Sequence, residues 1–326
     1  MREILPIIKK MLQDPQKVYS FIKNIFSIYR RSSLCATFGY LSEKVTGHNI
    51  YLKMLKIFHG ETLIKVKLAD IDNLYMYVDL SDEGISKDLF LFGKREENMT
   101  KIFKSYLKPG QKIIDIGSNI GYYVLLEASI IKPNGMIYAL EPDPHNVKIL
   151  RKNVEINQCD SIVYIENAAV SDKTGVAQLH LANRSNLHTL TRVPEMDKYV
   201  KFKGSVEVPT FALDDFLEYK NIDPRSIDVI RMDIEGHEVY ALDGMKRTLK
   251  RSGPLIFFIE IHPKLIKQNP DYTYENFLEN LKTYGFKLRE CFLSVTSRID
   301  KKLNVREIED LLHFNEALEV ILIRQG

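Results

Sequence analysis

The chain has 326 residues, of which 45% are hydrophobic and 27% are charged, so it is long enough to bury a sizeable core. This composition excludes a disordered or fibrous chain, and a net charge of +3 gives no basis for nucleic-acid binding, which needs a strong basic excess on one face. The three cysteines form no CxxC pair, which argues against a disulfide scaffold or a cysteine zinc site and favours a reducing compartment.

The first 60 residues predict a helical extension ahead of the main domain. Apolar residues recur at three- and four-residue spacing over residues 18–29, with lysines and arginines beside them. Such a stripe is expected to pack on the main domain or on a second subunit, which would make a homo-oligomer. A basic amphipathic helix can also lie on an anionic membrane, so peripheral membrane contact through residues 1–31 is the alternative.

No apolar run approaches the roughly 18 residues of a membrane span, and the N-terminus is a poor secretory signal. We therefore expect a cytoplasmic protein, with peripheral membrane contact through residues 1–31 as the alternative.

Residues 61–326 predict the main domain. Alternating patterns in residues 62–70 and 74–80 predict two strands of a small β vestibule, joined at a turn, and a helix follows over residues 96–108. From Gly110 onward, apolar strands alternate with amphipathic helices as far as a closing strand, EVILIR. Two extended segments, VAQLHLA and SVEVPT, follow the third strand, and EVYALDGMKRTLK predicts a single helix over residues 238–250. This alternation predicts a doubly wound α/β fold, with a mainly parallel sheet covered by helices on both faces.

The first strand of this sheet, KIIDIG, leads through a glycine turn directly into a helix. Gly117 and Gly121 would let the backbone approach a ligand closely. Dinucleotide-binding turns read GxGxxG, whereas Asn119 takes the middle position here, which disfavours a pyrophosphate and a nicotinamide-dependent oxidoreductase. The helix start suits a carboxylate and Asp115 suits an ammonium group, so the turn predicts an amino-acid tail.

The next two strand ends complete this predicted pocket. Glu141 ends the second strand, where a carboxylate can accept hydrogen bonds from both hydroxyls of a ribose. Asn167 and Ala168 follow the third strand and could border an adenine edge. A nucleoside with an amino-acid tail is S-adenosylmethionine. The predicted cofactor-binding residues are Asp115, Gly117, Ser118, Asn119, Gly121, Glu141, Asn167 and Ala168.

The fourth and fifth strands predict a reaction face. Arg231, Asp233 and Glu235 share one side of any extended run, and Glu260 and His262 do so on the fifth strand, LIFFIEIHP. If the two strands are neighbours, their ends place acids and an imidazole over one spot. We predict His262 as the base that removes the proton of a hydroxyl nucleophile, with a carboxylate to orient it. The predicted catalytic residues are Asp233, Glu235, Glu260 and His262.

Structural interpretations of these residues stay open. Glu235 and Glu238 could serve only to start a helix, and His237 is expected to be a solvated residue at that start. Glu260 and His262 could form a structural pair. These acids could also hold a divalent ion, but no spacing is diagnostic, so we predict no metal.

Several segments resemble, in order and spacing, the FkbM family of S-adenosylmethionine-dependent methyltransferases. They are DIGSNIGYYVLLEA, ALEPDPHNVKILRKNVEIN, NAAVSDKTGVAQLHL, VPTFALDDFL, IDVIRMDIEGHEVYALDGM and LIFFIEIHP, and the resemblance covers roughly residues 85–290. It implies a class I methyltransferase (Rossmann-like) fold with a seven-stranded sheet, whose last strand is antiparallel. It also implies methylation of a hydroxyl of a sugar, glycan or secondary metabolite.

Carried over by position, the resemblance places five residues on the family's cofactor motif: Asp115, Gly117, Asn119, Gly121 and Glu141. It places four on the family's acidic block: Asp233, Glu235, Gly236 and Glu238. The family usually has Lys where this chain has Arg231, which keeps the charge but replaces a point donor with a fork. A non-catalytic nucleoside-binding module is the remaining rival, and the dense acids on the fourth strand argue against it.

Overall fold

The structure, a computed structural model, describes residues 63–71, 73–251, 253–294 and 301–325. The predicted extension over residues 1–60 lies outside the described residues, so the expectations attached to it stay predictions. The chain divides after Arg95 into two compact units. Within the described ranges, every helix is too short or too polar to cross a membrane.

The first unit contains the predicted strand pair. β1 (Leu63–Lys67) and β2 (Tyr75–Asp79) are antiparallel, as expected, and Asn73 in the turn between them has a φ of 59°, which asparagine tolerates well. A helix that the sequence analysis missed follows as α1 (Ile85–Phe92), which ends at Gly93 in the left-handed conformation.

The second unit begins with α2 (Glu97–Tyr106) and continues as alternating strands and helices. In chain order its first half contains β3 (Lys112–Ile116), α3 (Tyr122–Ile131), β4 (Met136–Leu140), α4 (Pro144–Ile156), β5 (Val163–Glu166), β6 (Ala169–Val170), β7 (Gly175–Ala182) and β8 (Phe202–Phe211). Its second half contains α5 (Leu213–Tyr219), β9 (Val229–Met232), α6 (Glu238–Asp243), α7 (Lys246–Arg251), β10 (Leu255–Ile261), α8 (Pro263–Ile266), α9 (Tyr274–Thr283), β11 (Lys287–Leu293), β12 (Lys301–Lys302) and β13 (Leu318–Arg324).

Eight strands form the main sheet, in the order β12-β11-β13-β10-β9-β3-β4-β5. The five strands from β10 to β5 are parallel, and β13 is antiparallel to both of its neighbours. The class I methyltransferase (Rossmann-like) fold is thereby confirmed. The sheet has one strand more than the predicted seven, because the two-residue β12 pairs with the edge of β11.

Strand order reverses between β3 and β9, and ligands of such sheets bind at the carboxyl ends of the strands beside this switch point. The sequence of β3 is almost continuously apolar because helices cover both faces of the sheet. Its Ile113, Ile114 and Ile116 are accordingly buried. On α3, the residues from Tyr122 to Ala128 are also buried. The switch point therefore lies deep in the core rather than at a sheet edge.

A separate three-stranded sheet has the order β6-β8-β7, and it confirms the two extended segments expected after the third strand. The single helix predicted over residues 238–250 is wrong, because Gly244 interrupts it between α6 and α7. A Cβ at Gly244 would lie 1.9 Å from the backbone oxygen of Ser171, so the close approach of these two backbone segments leaves room only for a glycine.

Candidate active site

The glycine turn after β3 is packed against its neighbours in the fold. Gly117 has a φ of +83°, and a Cβ there would lie 2.1 Å from the backbone oxygen of Asp233. Gly121 has a φ of +93°, and its Cβ would lie 2.4 Å from Cδ1 of Leu150. Both glycines are therefore required by the backbone and its packing, which differs from the ligand approach that the sequence suggested. Their contact with a cofactor stays a prediction.

Asn119 ties the turn to the end of β4. Its φ of 50° is left-handed, a conformation that asparagine adopts more readily than most residues. Its backbone N–H donates to Glu141 Oε2 at 2.8 Å, and its side-chain oxygen accepts from the N–H of Ile120, also at 2.8 Å. A glycine at this position could make the backbone contact to Glu141, but it could not make the side-chain contact to Ile120.

Glu141 is buried and already accepts three hydrogen bonds. Besides Asn119, the donors are the N–H of Asp143 at 3.0 Å and Asn146 Nδ2 at 3.3 Å. Two carboxylate oxygens offer about four acceptor sites, so about one remains for a ribose hydroxyl rather than the two that the prediction needs. Burial raises the pKa of Glu141 to about 7.

Asp115 and Arg231 lie directly opposite each other on β3 and β9. Arg231 Nη1 donates to Asp115 Oδ1 at 3.2 Å and Nη2 donates to Asp233 Oδ2 at 3.1 Å, while the guanidinium lies 4.0 Å from the centre of the Tyr123 ring. The planar guanidinium of an arginine can donate to two carboxylates at once from separate nitrogens, whereas a lysine has a single ammonium nitrogen. Asp233 is thereby directed towards Arg231.

Asp115 shares its buried environment with a second carboxyl, Glu127 of α3. Ser118 Oγ donates to Asp115 Oδ1 at 3.2 Å, and burial followed by the charge of Asp115 raises the pKa of Glu127 well above its usual value, so its neutral carboxyl can donate to Asp115. Burial raises the pKa of Asp115, although Arg231 opposes that shift. With Arg231, Ser118 and Glu127 as donors, about one of the roughly four acceptor sites of the Asp115 carboxylate remains, and beside the glycine turn it suits an ammonium group. Together with the remaining acceptor site on Glu141, it fits the amino-acid tail and ribose of the predicted cofactor.

Asn167 and Ala168 are placed differently from the expectation. Asn167 Nδ2 donates to the backbone oxygens of Glu141 and Pro142, at 3.0 and 2.9 Å, so it braces the loop after β4. Ala168 is fully buried. The amide donor of Asn167 is therefore occupied, and contact of these two residues with an adenine stays a prediction.

β9 and β10 are neighbours, and their ends bring an acidic cluster around His262. His262 Nδ1 lies 2.7 Å from Glu238 Oε1, and His262 Nε2 lies 3.2 Å from Glu235 Oε2 and 3.8 Å from Glu260 Oε1. Three of the four predicted catalytic residues thus come together. Glu238 was interpreted only as a helix-start acid, although its spacing of three from Glu235 could have indicated a shared side of that helix start.

The charge state of His262 differs from the one a general base needs. Burial alone would lower the pKa of His262, but the carboxylates of Glu235 and Glu238 raise it well above its usual value. At neutral pH the ring is therefore an imidazolium, whose two N–H groups face carboxylates. Such a ring has no lone pair for a proton, so the structure argues against His262 as the base.

His237 is buried, so the expectation of a solvated residue is wrong. Its Nε2 lies 3.0 Å from Ser171 Oγ, its Nδ1 lies 2.7 Å from Thr191 Oγ1, and its ring stacks on Tyr240 at 4.7 Å. Burial lowers its pKa to about 4, so the ring is neutral at pH 7. His237 fixes the start of α6 and does not face the acidic cluster.

The connection between β7 and β8, residues 183–201, crosses these strand ends, and we call it the cover segment. Three of its side chains contact the strand ends: Ser185 Oγ lies 3.4 Å from Asn119 Oδ1, His188 Nε2 lies 3.3 Å from Asp143 Oδ2, and Thr189 Oγ1 donates to the backbone oxygen of Glu235 at 2.8 Å. One segment therefore contacts both the predicted cofactor side and the acidic cluster. Among the described residues, no group of three or more His, Cys, Asp or Glu side chains could hold a metal ion.

Comparisons with known proteins identify several methyltransferases that resemble this chain. In sequence, 2-O-methyltransferase NoeI from Sinorhizobium fredii is 30% identical over 155 residues, which are 44% of this chain and 61% of that protein. A probable cobalt-precorrin-6B C(15)-methyltransferase (decarboxylating) from Sulfolobus acidocaldarius is 32% identical over 88 residues, which are 27% of this chain and 46% of that protein. The chain thus spans less than two thirds of the length of either relative.

A crystal structure of methyltransferase FkbM from Methylobacillus flagellatus superposes with a TM-score of 0.35 at 14% identity, over 94% of this chain and 59% of that one. The family model described as the Methyltransferase FkbM domain matches residues 115–288, more than half of the chain, and this match includes both the glycine turn and the acidic cluster. The chain therefore belongs to the FkbM family of S-adenosylmethionine-dependent methyltransferases.

Proposed function

We propose that the protein transfers the methyl group to a hydroxyl oxygen of a sugar, a glycan or a secondary metabolite. The observation that carries this proposal is the acidic cluster at the ends of β9 and β10. Its Glu235 and Glu260 side chains keep 13% and 15% of their surface exposed beside the His262 imidazolium. When bound, S-adenosylmethionine supplies a methyl group on a sulfonium, and a hydroxyl that attacks this methyl must give up its proton.

The cluster suits a polyol better than a phosphate. Carboxyl groups exchange hydrogen bonds with hydroxyl groups, and two of them side by side can hold the neighbouring hydroxyls of one sugar ring. The same acids would repel the phosphates of a nucleic acid, so we propose no nucleic-acid acceptor. The relative named 2-O-methyltransferase NoeI supports an oxygen acceptor.

On the cofactor side, we propose that Asp115 accepts the ammonium group of the tail and that Glu141 accepts one ribose hydroxyl. The residues of the glycine turn, Gly117, Ser118, Asn119 and Gly121, would border the tail, and Asn167 and Ala168 would border the base.

The acceptor class can be tested with the purified full chain and S-adenosylmethionine carrying a tritiated methyl group. The probes are a panel of methyl glycosides, with a simple amine and a carboxylic acid of similar size as competitors. Label on a glycoside that survives mild alkali, as a methyl ether does and a methyl ester does not, supports the proposal. Transfer only to the amine or the acid contradicts the oxygen acceptor, and cofactor binding with no demethylated product contradicts an enzyme.

Glu141→Gln is expected to weaken binding of S-adenosylhomocysteine about 10- to 100-fold, because a hydrogen bond to a charged group contributes about 1.5–3 kcal/mol. The wild-type carboxyl, with a pKa of about 7, ionises as the pH rises through neutrality, so wild-type affinity should increase between pH 6 and 8 while that of the variant stays level. Isothermal calorimetry measures both. Glu155→Gln, which changes an exposed carboxyl on α4, is the control and should bind as the wild type does. Equal affinity of Glu141→Gln and wild type at pH 8 would remove Glu141 from the cofactor site.

A further inference from the structure

Hydroxyl methylation releases a proton, and the imidazolium of His262 cannot take it. We infer that Glu235 accepts the proton of the acceptor hydroxyl, and that Glu238 and His262 position its carboxylate. This inference rests on the proposed hydroxyl acceptor. The acceptor oxygen forms its bond to the methyl carbon as the carbon–sulfur bond breaks, the electron pair of that bond stays on sulfur, and the hydroxyl proton passes to Glu235.

Glu238 holds His262 in position and is itself held by the start of α6. It is the first residue of α6 and is fully buried. Its Oε1 accepts from the N–H of Gly236 at 3.0 Å and from His262 Nδ1 at 2.7 Å. A buried carboxylate is strongly unfavourable unless a cation compensates it, so Glu238 holds His262 both in place and in its charged form.

Glu235 is held by its backbone as well as by its side chain. Its φ of 51° lies in the left-handed region, which is strained for a residue with a Cβ and which proteins retain mainly where a side chain must be aimed. Thr189 of the cover segment donates to its backbone oxygen, and His262 Nε2 contacts its Oε2. Among the residues that the structure describes, none donates a hydrogen bond to Glu235 Oε1. That oxygen has lone pairs available for a proton.

Glu260 is the competing carboxylate, and its surroundings favour a neutral acid. Its Oε1 accepts from Ser294 Oγ at 2.9 Å, and Glu319 lies opposite it on β13. Burial, followed by the charges of Glu319 and Asp233, raises the pKa of Glu260 well above its usual value. A neutral carboxyl can donate to an acceptor oxygen but cannot take its proton.

For Glu235 the same burial raises the pKa while the His262 cation opposes the shift, and Asp233 and Glu238 add smaller increases. From the cover segment, Tyr199 is a further titratable group that interacts electrostatically with both Glu235 and His262. A base is most effective when its pKa lies near the working pH, so an increase that the His262 cation limits suits this role. Turnover should rise with pH as Glu235 ionises and fall as the pH passes the pKa of His262. If His262 were the base, turnover would instead rise through the pKa of His262.

The protonation state can be read without any acceptor. NMR of the full chain with 13C-labelled histidine, saturated with S-adenosylhomocysteine, follows each ring against pH, and a His262→Asn sample assigns the signal. We expect a charged His262 at pH 7, a neutral His237 in the same spectra as an internal reference, and a lower His262 pKa in both Glu238→Gln and Glu235→Gln. A neutral His262 at pH 7 in the wild type overturns the inference.

Turnover on a methyl glycoside that the wild type labels is the second readout. Glu235→Gln should lower kcat about 10²- to 10⁴-fold with unchanged affinity for S-adenosylhomocysteine, because it removes a general base. Glu238→Gln should move the alkaline fall of the pH profile to lower pH, which a merely structural role would not do. Glu218→Gln, an exposed carboxyl on α5, is the control and should leave kcat unchanged. A kcat of Glu235→Gln within tenfold of the wild type overturns the assignment. Because the titration needs no acceptor, failure of the proposed acceptor class would leave its result standing.

Discussion

Gly117→Ala is expected to destabilise the protein by about 4 kcal/mol or more, a large fraction of the roughly 5–15 kcal/mol that stabilises an ordinary domain. The new Cβ would lie 2.1 Å from the backbone oxygen of Asp233, at the contact between the two central strands β3 and β9. Neither backbone can move away, because the N–H of Asp233 also donates to the oxygen of Ile116 at 3.1 Å. Urea denaturation followed by circular dichroism measures the loss.

Gly110→Ala separates this clash from backbone strain. Gly110 has a φ of +84°, almost the value at Gly117, but a Cβ there would meet nothing within 4 Å. The control should therefore show only the left-handed penalty of about 1–2 kcal/mol. If the two variants lose the same free energy of unfolding, the close contact between the turn and Asp233 is wrong.

Arg231→Met is the second substitution for which we expect a large loss, about 3–5 kcal/mol of the free energy of unfolding, because it leaves a buried carboxylate without its cation. Asp115 is fully buried opposite Arg231, and Asp233 shares the same guanidinium. Without Arg231, the folded-state pKa of Asp115 rises further above its unfolded value of about 3.9. The unfolded chain then binds fewer protons, so the variant loses stability as the pH rises above about 4 and approaches the wild type below it.

The control for that substitution is Arg225→Met. Arg225 pairs with Asp223 at 2.9 Å, a distance comparable to those at Arg231, but on the surface, where such pairs contribute about 0–1 kcal/mol. Thermal denaturation at pH 7 and pH 4.5 should show a large, pH-dependent loss for Arg231→Met and a small, level one for Arg225→Met. Equal losses for the two variants would contradict a compensating role for Arg231.

The sequence predicted most of the sheet, because parallel strands buried on both faces leave a continuous apolar signal that helices interrupt. The same reasoning placed the acids and His262 at neighbouring strand ends, since it needed only the chain order of β9 and β10. It could not give the extra edge strand, because the two residues of β12 carry no apolar pattern.

The charge states at the site could not be read from residue types. His262 was predicted as a base from its ordinary pKa, but two glutamates, Glu235 and Glu238, at distances set by the fold decide its protonation. His237 looked solvated because Ser171 and Thr191, which bury it, come from distant parts of the chain. Such contacts between distant segments leave no local pattern in the sequence.

The contact between the glycine turn and the Asp233 backbone couples the end of β3 to the end of β9 through main-chain atoms. With so little space between them, neither strand end can shift without carrying the other. In the function that we propose, main-chain geometry therefore sets the gap from methyl donor to nucleophile, and a change of acceptor would have to come from exchanged side chains or from the cover segment.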